Sequence, residues 1–213
     1  MSTSGQITKN RILDAAEELF GERGFAGTSV RAVTAAADAN VAAVRYHFGS
    51  KEGLVRAVAG RATAPVNEAR LESLCELEAS GRDGDAAALV RAFVVPGADL
   101  VRGHGERGPY VARFIGRVLS DPDGDVRRLF AAQVDPVEGR YLTALTRALS
   151  RLPEDEVAFR YRAMVGLLAL HQTGALTDLA TARPASGDGA QDAERLVAMI
   201  TAMFLAPPAR EPG

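Results

Sequence analysis

The sequence predicts an all-α protein. Apolar residues recur at helical spacing, capping and helix-breaking residues separate these segments, and no alternating β-branched run of useful length predicts a strand. With 213 residues, 47% of them hydrophobic, the chain can bury a real core, and its length suits a small domain joined to a larger one. We predict about nine helices in all.

The first helix is predicted over residues 8–23, because apolar residues such as Ile12, Ala16 and Leu19 fall on one face. Gly24 is placed to end it, as glycine often does at a helix C-terminus. Four acidic residues are expected to face solvent on this helix: Asp14, Glu17, Glu18 and Glu22.

Two short helices follow, joined by a tight turn. Thr28 is predicted to cap the second helix, which runs to Ala36, and Asn40 to cap the third. The third helix contains small residues, among them Ala42 and Ala43, and then carries three polar or aromatic side chains, Arg45, Tyr46 and His47. Because alanines let a helix approach another surface closely, this layout suits a helix-turn-helix whose second helix lies in the DNA major groove. DNA binding is therefore the leading hypothesis.

A long fourth helix is predicted from its cap at Ser50, with a kink or break at Pro65. Residues 79–85 have the composition of a loop. In the later helices, Pro96-Gly97 is predicted to interrupt a helix. Prolines are also predicted to start helices at Pro109, Asp121-Pro122, Asp135-Pro136 and Pro153.

The last two helices each have a wide apolar face. The first carries Val157, Tyr161, Met164, Val165, Leu168, Gln172, Ala175, Leu176 and Leu179, and the second carries Ala193, Leu196, Val197, Ile200 and Phe204. These faces could complete the core of one chain, or they could pair with a second copy in a four-helix interface.

Two motifs resemble the tetracycline-repressor (TetR) family over roughly residues 8–56: Thr-Ser-Val-Arg at Thr28–Arg31 and Tyr-His-Phe-Gly-Ser-Lys-Glu-Gly-Leu at Tyr46–Leu54. The resemblance implies a three-helix DNA-binding domain over residues 1–52. It also implies a larger helical ligand-binding and dimerisation domain over residues 53–213, with the last two helices pairing in a homodimer.

The expected DNA-contacting residues are Thr28, Ser29, Asn40, Ala42, Ala43, Arg45, Tyr46, His47 and Lys51. Arg45 stands where family members usually have Tyr or Asn; it could bond a guanine edge for ~1–3 kcal/mol of discrimination, or it could be a solvated or phosphate-binding residue. The resemblance implies that Tyr46 contacts a phosphate or base edge and that Thr28 and Lys51 contact phosphates. His47 could instead be a packed structural residue, and the alanines could touch a thymine methyl or only permit close approach.

Charge argues weakly against DNA binding by one copy. The net charge is −2, and the first 56 residues hold seven basic and six acidic side chains. The phosphate contribution to affinity scales with the number of phosphate contacts. One copy of the DNA-binding domain (the head) should therefore bind DNA weakly, and a dimer with two heads would be required.

Several other classes are disfavoured by what the sequence lacks. No apolar run reaches the ~18–20 residues of a membrane-spanning helix, and because residues 1–10 are polar and have no apolar signal-peptide core, we do not expect export. The single cysteine, Cys75, excludes an internal disulfide framework and fits a cytoplasmic protein. Neither a metal-ligand spacing among the three histidines nor a nucleophile elbow or phosphate loop occurs, so we expect no enzyme, metal or cofactor.

A ligand pocket is the remaining function expected of the larger domain. Aromatic and polar residues on predicted inward faces could line it, although an ordinary helical core has the same composition: Phe93, Tyr110, Phe114, Phe130, Met164 and His171. The sequence therefore predicts a ligand-responsive regulator, a repressor released from a pseudo-palindromic operator by a small, largely apolar effector. The alternative is a helical small-molecule-binding protein without sequence-specific DNA readout.

Overall fold

The computed structural model describes residues 3–121, 124–174 and 189–208. These residues form ten α-helices and a short 3-10 turn at Gly105–Arg107, with no strand among them. The helices are α1 (Thr3–Arg23), α2 (Val30–Ala36), α3 (Val41–Phe48), α4 (Lys51–Ala79), α5 (Ala86–Ala98), α6 (Leu100–Gly103), α7 (Gly108–Leu119), α8 (Asp125–Ala148), α9 (Glu154–Thr173) and α10 (Gly189–Leu205). The all-α prediction is confirmed, and no helix in the described ranges is long and apolar enough to cross a membrane.

The chain forms two compact units that interleave in sequence. Unit 1 contains Met1–Pro65 and Val101–Asp135, and unit 2 contains Val66–Leu100 and Pro136–Gly213. The predicted functional division at residue 52 cuts the sequence differently and stays a prediction.

In unit 1, α1 packs against α7 and against the two short helices α2 and α3. Apolar residues from every one of these helices are buried there: Ile12, Phe20, Val33, Val44, Phe114 and Val118. This packing fixes the positions of α2 and α3 on the rest of the unit.

Glu17 corrects the expectation that the acidic residues of α1 all face solvent. It is only 1% exposed, and its Oε2 accepts hydrogen bonds from Arg61 Nη2 at 3.1 Å and from Arg107 Nη2 at 2.6 Å. Arg61 also bonds Asp14 at 2.6 Å. A buried carboxylate therefore joins α1, α4 and the 3-10 turn before α7.

Unit 2 is built around a separate core from α4, α5, α8, α9 and α10, whose largest buried side chains are Leu74, Leu89, Phe93, Tyr141, Met164, Ile200 and Phe204. The predicted apolar faces of the last two helices supply part of it, including Val157, Leu168, Ala193 and Val197. These residues therefore lie in the core of their own chain, which is the first of the two alternatives that the sequence left open. Ala175, Leu176 and Leu179 lie outside the described residues.

Prolines do not interrupt the helices where the sequence predicted. α4 continues through Pro65, α5 through Pro96 and α8 through Pro136, so the predicted helix start at Asp135-Pro136 is wrong. Tertiary packing outweighs the local penalty at Pro136, because Val134 and Val137 on either side of it are buried. The predicted helix starts at Pro109 and Pro153 are confirmed, whereas Pro122 lies outside the described residues.

Candidate DNA-binding interface

Two short helices and the turn between them form the helix-turn-helix. Asn40 precedes α3, and its Oδ1 accepts a hydrogen bond from Ala43 N at 2.8 Å, so the predicted cap is confirmed. In the turn Asp38 has a φ of 44° and accepts a hydrogen bond from Arg11 of α1 at 2.8 Å. The geometry of α2 and α3 is therefore fixed by local capping and by α1.

The outer face of α3 carries exposed polar and aromatic side chains. Val44 points into the core and is 2% exposed, whereas the neighbouring Tyr46 is 79% exposed and Arg45 is also exposed. Ala42 is exposed and Ala43 half-buried, so the start of this face is nearly flat. Since successive residues turn by about 100° around a helix, burial of Val44 is what directs Arg45 and Tyr46 outward.

His47 lies at the end of α3 among aromatic rings. Its ring centre is 4.9 Å from that of Tyr46, edge to face, and 6.0 Å from that of Phe48. Its Nδ1 is sealed from solvent and has no hydrogen-bond partner among the described residues. This packing favours the structural interpretation, in which His47 supports the ring of Tyr46; a DNA contact stays a prediction.

Thr28 does not cap α2, so that prediction is wrong. Ser29 is the cap, accepting a hydrogen bond from Ala32 N at 3.1 Å. Thr28 is 1% exposed, and its hydroxyl lies 3.0 Å from the carbonyl oxygen of Leu19 and 2.8 Å from that of Gly24, positions in which it can donate to either. With its side chain buried against α1, Thr28 holds the start of α2 in place, and the exposed Ser29 is the residue whose hydroxyl faces outward.

Lys51 opens α4 and reaches back to the segment that follows α1. Its Nζ donates to the carbonyl of Phe25 at 2.5 Å and lies 4.0 Å from the centre of the Phe25 ring. Partial burial lowers the pKa of Lys51, and the neighbouring Glu52 opposes this effect. An ammonium has three N–H donors; one holds the Phe25 carbonyl, and a phosphate contact by Lys51 stays a prediction.

The junction between α3 and α4 requires glycine at two positions. Gly49 ends α3 with a φ of 77°, a conformation that side-chain-bearing residues rarely adopt. At Gly53 a Cβ would lie 1.9 Å from the carbonyl oxygen of Phe48, while Ser50 Oγ accepts from the Gly53 N–H at 3.1 Å. These contacts account for the Gly-Ser-Lys-Glu-Gly run.

Two family descriptions match the chain. Residues 12–58 match bacterial regulatory proteins of the tetR family, and residues 91–203, more than half of the 213, match the tetracyclin repressor-like C-terminal domain. The chain belongs to the tetracycline-repressor family. Residues 12–58 are the helix-turn-helix DNA-binding domain of a tetR-family transcriptional regulator, a class that is not enzymatic.

Individual relatives agree with this. YttP of Bacillus subtilis (strain 168), a probable HTH-type transcriptional regulator, is 48% identical over 48 residues, which are 22% of this chain and 23% of that protein. Like the other curated relatives, it is matched over less than a third of its length. The fatty acid degradation regulator FadR of Bacillus halodurans superposes with a TM-score of 0.65 at 13% identity, covering 95% of this chain and 97% of its own. The tetR-family regulator PfmR of Thermus thermophilus gives a TM-score of 0.57 at 21% identity, covering 99% and 100%. Both structures show the fold.

The six predicted ligand residues of this tetR-family protein divide between the two units. Phe93, Met164 and His171 belong to unit 2, and Tyr110, Phe114 and Phe130 to unit 1. Phe93, Phe114 and Met164 are each at most 1% exposed and pack as core residues, whereas Tyr110 is exposed and His171 half-buried. A ligand role for this set stays a prediction.

Unit 2 of the regulator has an open groove of about 630 Å³ that sequence reasoning missed. Small and charged side chains from α4, α5 and the loop between them line it, including Ser73, Glu76, Arg82, Asp85 and Arg91. Arg91 is paired with Glu194 of α10 at 2.5 Å, and Arg82 with Asp85 at 3.1 Å. The lining comes from residues 73–92 and from Val197 of α10, and no sequence motif marks such a groove.

Proposed function

We propose that this protein is a homodimeric, ligand-responsive repressor that binds a pseudo-palindromic DNA operator and is released from it by a small effector. The outward face of α3 carries this proposal: Arg45 and Tyr46 project from a capped helix that Val44 anchors in the core. In the major groove the guanidinium of Arg45 would bond a guanine edge in a bidentate way. Tyr46, Ser29 and the remaining donors of Lys51 would contact phosphates and fix the register.

A second copy is proposed to pair along the outer faces of α9 and α10. On α9, Phe159 is 61% and Leu170 42% exposed, and they lie three turns apart on one face, with the exposed Gly166 between them. The outer face of α10 carries exposed apolar residues, and Ala206, just after the helix, extends it: Ala198, Met199, Ala202, Leu205 and Ala206. Apolar stripes of this kind, with small residues that admit close approach, suit an isologous helix pairing between two copies.

The near-neutral head supports the same conclusion. With seven basic and six acidic side chains in the first 56 residues, one head gains little from phosphates, so two linked heads are needed for firm binding. An effector that binds unit 2 better in one dimer arrangement than in another would shift the spacing of the heads and release the DNA.

Selection of bound sites from random duplex DNA with the purified protein tests the proposal. We expect enrichment of two inverted half-sites whose centres lie about one helical turn, or a multiple of it, apart. The double variant R45A/Y46A is the matched control; both side chains are exposed, so it should fold normally and enrich nothing. Failure of the wild-type protein to enrich any sequence would contradict DNA readout, and enrichment of single, unpaired half-sites would contradict the dimer.

A further inference from the structure

Arg70 lies in the core of unit 2, where a charged side chain is unexpected. It is 5% exposed, and its guanidinium carbon is 3.6 Å from the centre of the Phe93 ring. Nε donates to the Phe93 carbonyl at 3.0 Å, and the Tyr141 hydroxyl donates to the Arg70 carbonyl at 2.7 Å. Contacts from α5 and α8 thus hold this residue of α4 in a fixed position.

Among the described residues no carboxylate forms a salt bridge with this guanidinium. Burial lowers the pKa of Arg70, and electrostatic interactions with Tyr161, Glu138 and Tyr141 act in the opposite direction. A guanidinium has five N–H donors, and in the described part of the chain only Nε has an acceptor. The four N–H groups on the Nη atoms therefore have capacity for a further partner.

Arg160 shows what a satisfied buried guanidinium looks like in the same unit. It is 4% exposed, pairs with Glu156 at 2.7 Å, and donates to four backbone carbonyls at the end of α10: those of Met203, Phe204, Ala206 and Pro207. Arg160 closes the end of a helix and needs no outside ligand. Arg70 has one carbonyl and an aromatic face.

A glycine beside Arg70 leaves room for its guanidinium. At Gly97 on α5 a Cβ would lie 2.8 Å from Nη2 of Arg70 and 2.5 Å from Cδ2 of Leu168. Gln172 of α9 donates to the Gly97 carbonyl at 2.8 Å, which keeps this backbone close. Any larger residue at position 97 would displace both the Leu168 side chain and the guanidinium, so Gly97, Leu168 and Arg70 belong to one arrangement.

A buried cation without a direct ion-pair partner costs more than a well-packed apolar residue would, so this arrangement indicates a role for the charge. The planar fork of a guanidinium matches a carboxylate in a bidentate way, and two of its neighbouring side chains, Phe93 and Leu168, are apolar. We propose that Arg70 binds the carboxylate of an effector whose remaining part is apolar. This proposal rests on the ligand-responsive function proposed above.

Isothermal titration of the full-length protein with sodium octanoate and with 1-octanol tests this assignment. The two probes share an apolar chain and differ in the charged group. The variant R70M removes the charge and keeps much of the volume. R140M is the matched control, since Arg140 belongs to unit 2 but is exposed on the surface, paired with Glu78 at 2.9 Å. Circular dichroism checks that each variant folds.

We expect octanoate to bind the wild-type protein and R140M at least about tenfold more tightly than 1-octanol does, and to lose about tenfold or more in R70M. Octanoate binding that is equal in R70M and wild type, or no tighter than 1-octanol binding to the wild type, would overturn the proposal. Should R70M not fold, R70Q decides: it removes the charge and keeps a polar side chain, so unchanged octanoate affinity overturns the assignment. Selection of DNA sites with the wild-type protein, carried out in parallel, separates the carboxylate proposal from the regulator proposal. If the wild-type protein enriches no DNA sequence, the regulator function is contradicted, whereas the octanoate result still stands.

Discussion

Replacing Glu17 with glutamine removes one negative charge from the interior of unit 1 and leaves the shape of the side chain almost unchanged. Glu17 lies on α1 of the DNA-binding head, and its partner Arg107 lies within the segment that matches the family's C-terminal domain. The substitution therefore tests the buried ionic link that joins these two parts of the sequence.

The expected magnitude follows from the contacts. Glu17 accepts three hydrogen bonds from guanidinium groups: from Arg107 Nη2 at 2.6 Å, from Arg107 Nε at 3.2 Å and from Arg61 Nη2 at 3.1 Å. Breaking a buried ion pair costs about 3–5 kcal/mol. Because the side chains of Arg107 and Arg61 are 35% and 20% exposed, both regain some water, so we expect a loss near the lower end, about 3 kcal/mol.

Urea denaturation followed by circular dichroism measures this loss. A lower melting temperature, by roughly 6–12 °C, should accompany it. D14N is the matched control: it removes the same charge from the same helix and also contacts Arg61, but Asp14 is 57% exposed, so it should cost about 1 kcal/mol or less. If E17Q and D14N differ by less than about 1 kcal/mol, the buried network does not stabilise unit 1 as argued.

Three further predictions concern the start of α2, the proposed dimer face and the first turn of α5. T28V should lower the free energy of unfolding by about 1–3 kcal/mol, because the buried hydroxyl contacts two carbonyls. S29A removes only the helix cap and should lower it by about 1 kcal/mol. If urea denaturation shows a larger loss for S29A than for T28V, the roles assigned to the two residues are reversed. F159E should convert dimer to monomer in sedimentation velocity, and an unchanged dimer would place the interface elsewhere. Hydrogen bonds from the backbone of Ala88, and others around it, lower the pKa of Asp85, so its stabilising effect is present at neutral pH and is lost as the pH falls through that lowered pKa. The free energy of unfolding of D85N should therefore change less on acidification than that of wild type, and equal acid sensitivity would show that the cap does not contribute.

Helix starts that depend on residues within one turn could be predicted from the sequence. The Asn40 cap needs only the N–H of Ala43, and the start of α9 needs only Pro153 and the acidic residues after it. At the start of α2 both Thr28 and Ser29 can cap. The carbonyls of Leu19 and Gly24, which hold the Thr28 hydroxyl, decide between them, so the sequence alone could not.

Features that depend on distant partners could not be predicted. Glu17 has the position of a solvent-facing acid on an amphipathic helix, and its partners lie 44 and 90 residues away. Pro136 has the signature of a helix start, but burial of Val137 and Tyr141 after it keeps α8 continuous. The outward face of α3 followed from the local pattern, whereas Arg70 in unit 2 gives no local signal because only tertiary packing buries it.

The most direct test of the central claim, that α3 reads base edges, compares R45A with R31A on the selected operator and on its single-base-pair variants. Both residues are exposed arginines of the head, on α3 and α2 respectively, so both substitutions remove the same charge. Fluorescence anisotropy of labelled duplexes gives the affinities. We predict that R45A loses about 1–3 kcal/mol at the wild-type site and no longer discriminates at one base pair of each half-site, while R31A weakens binding evenly. An even loss for R45A across all variants would contradict base readout by α3.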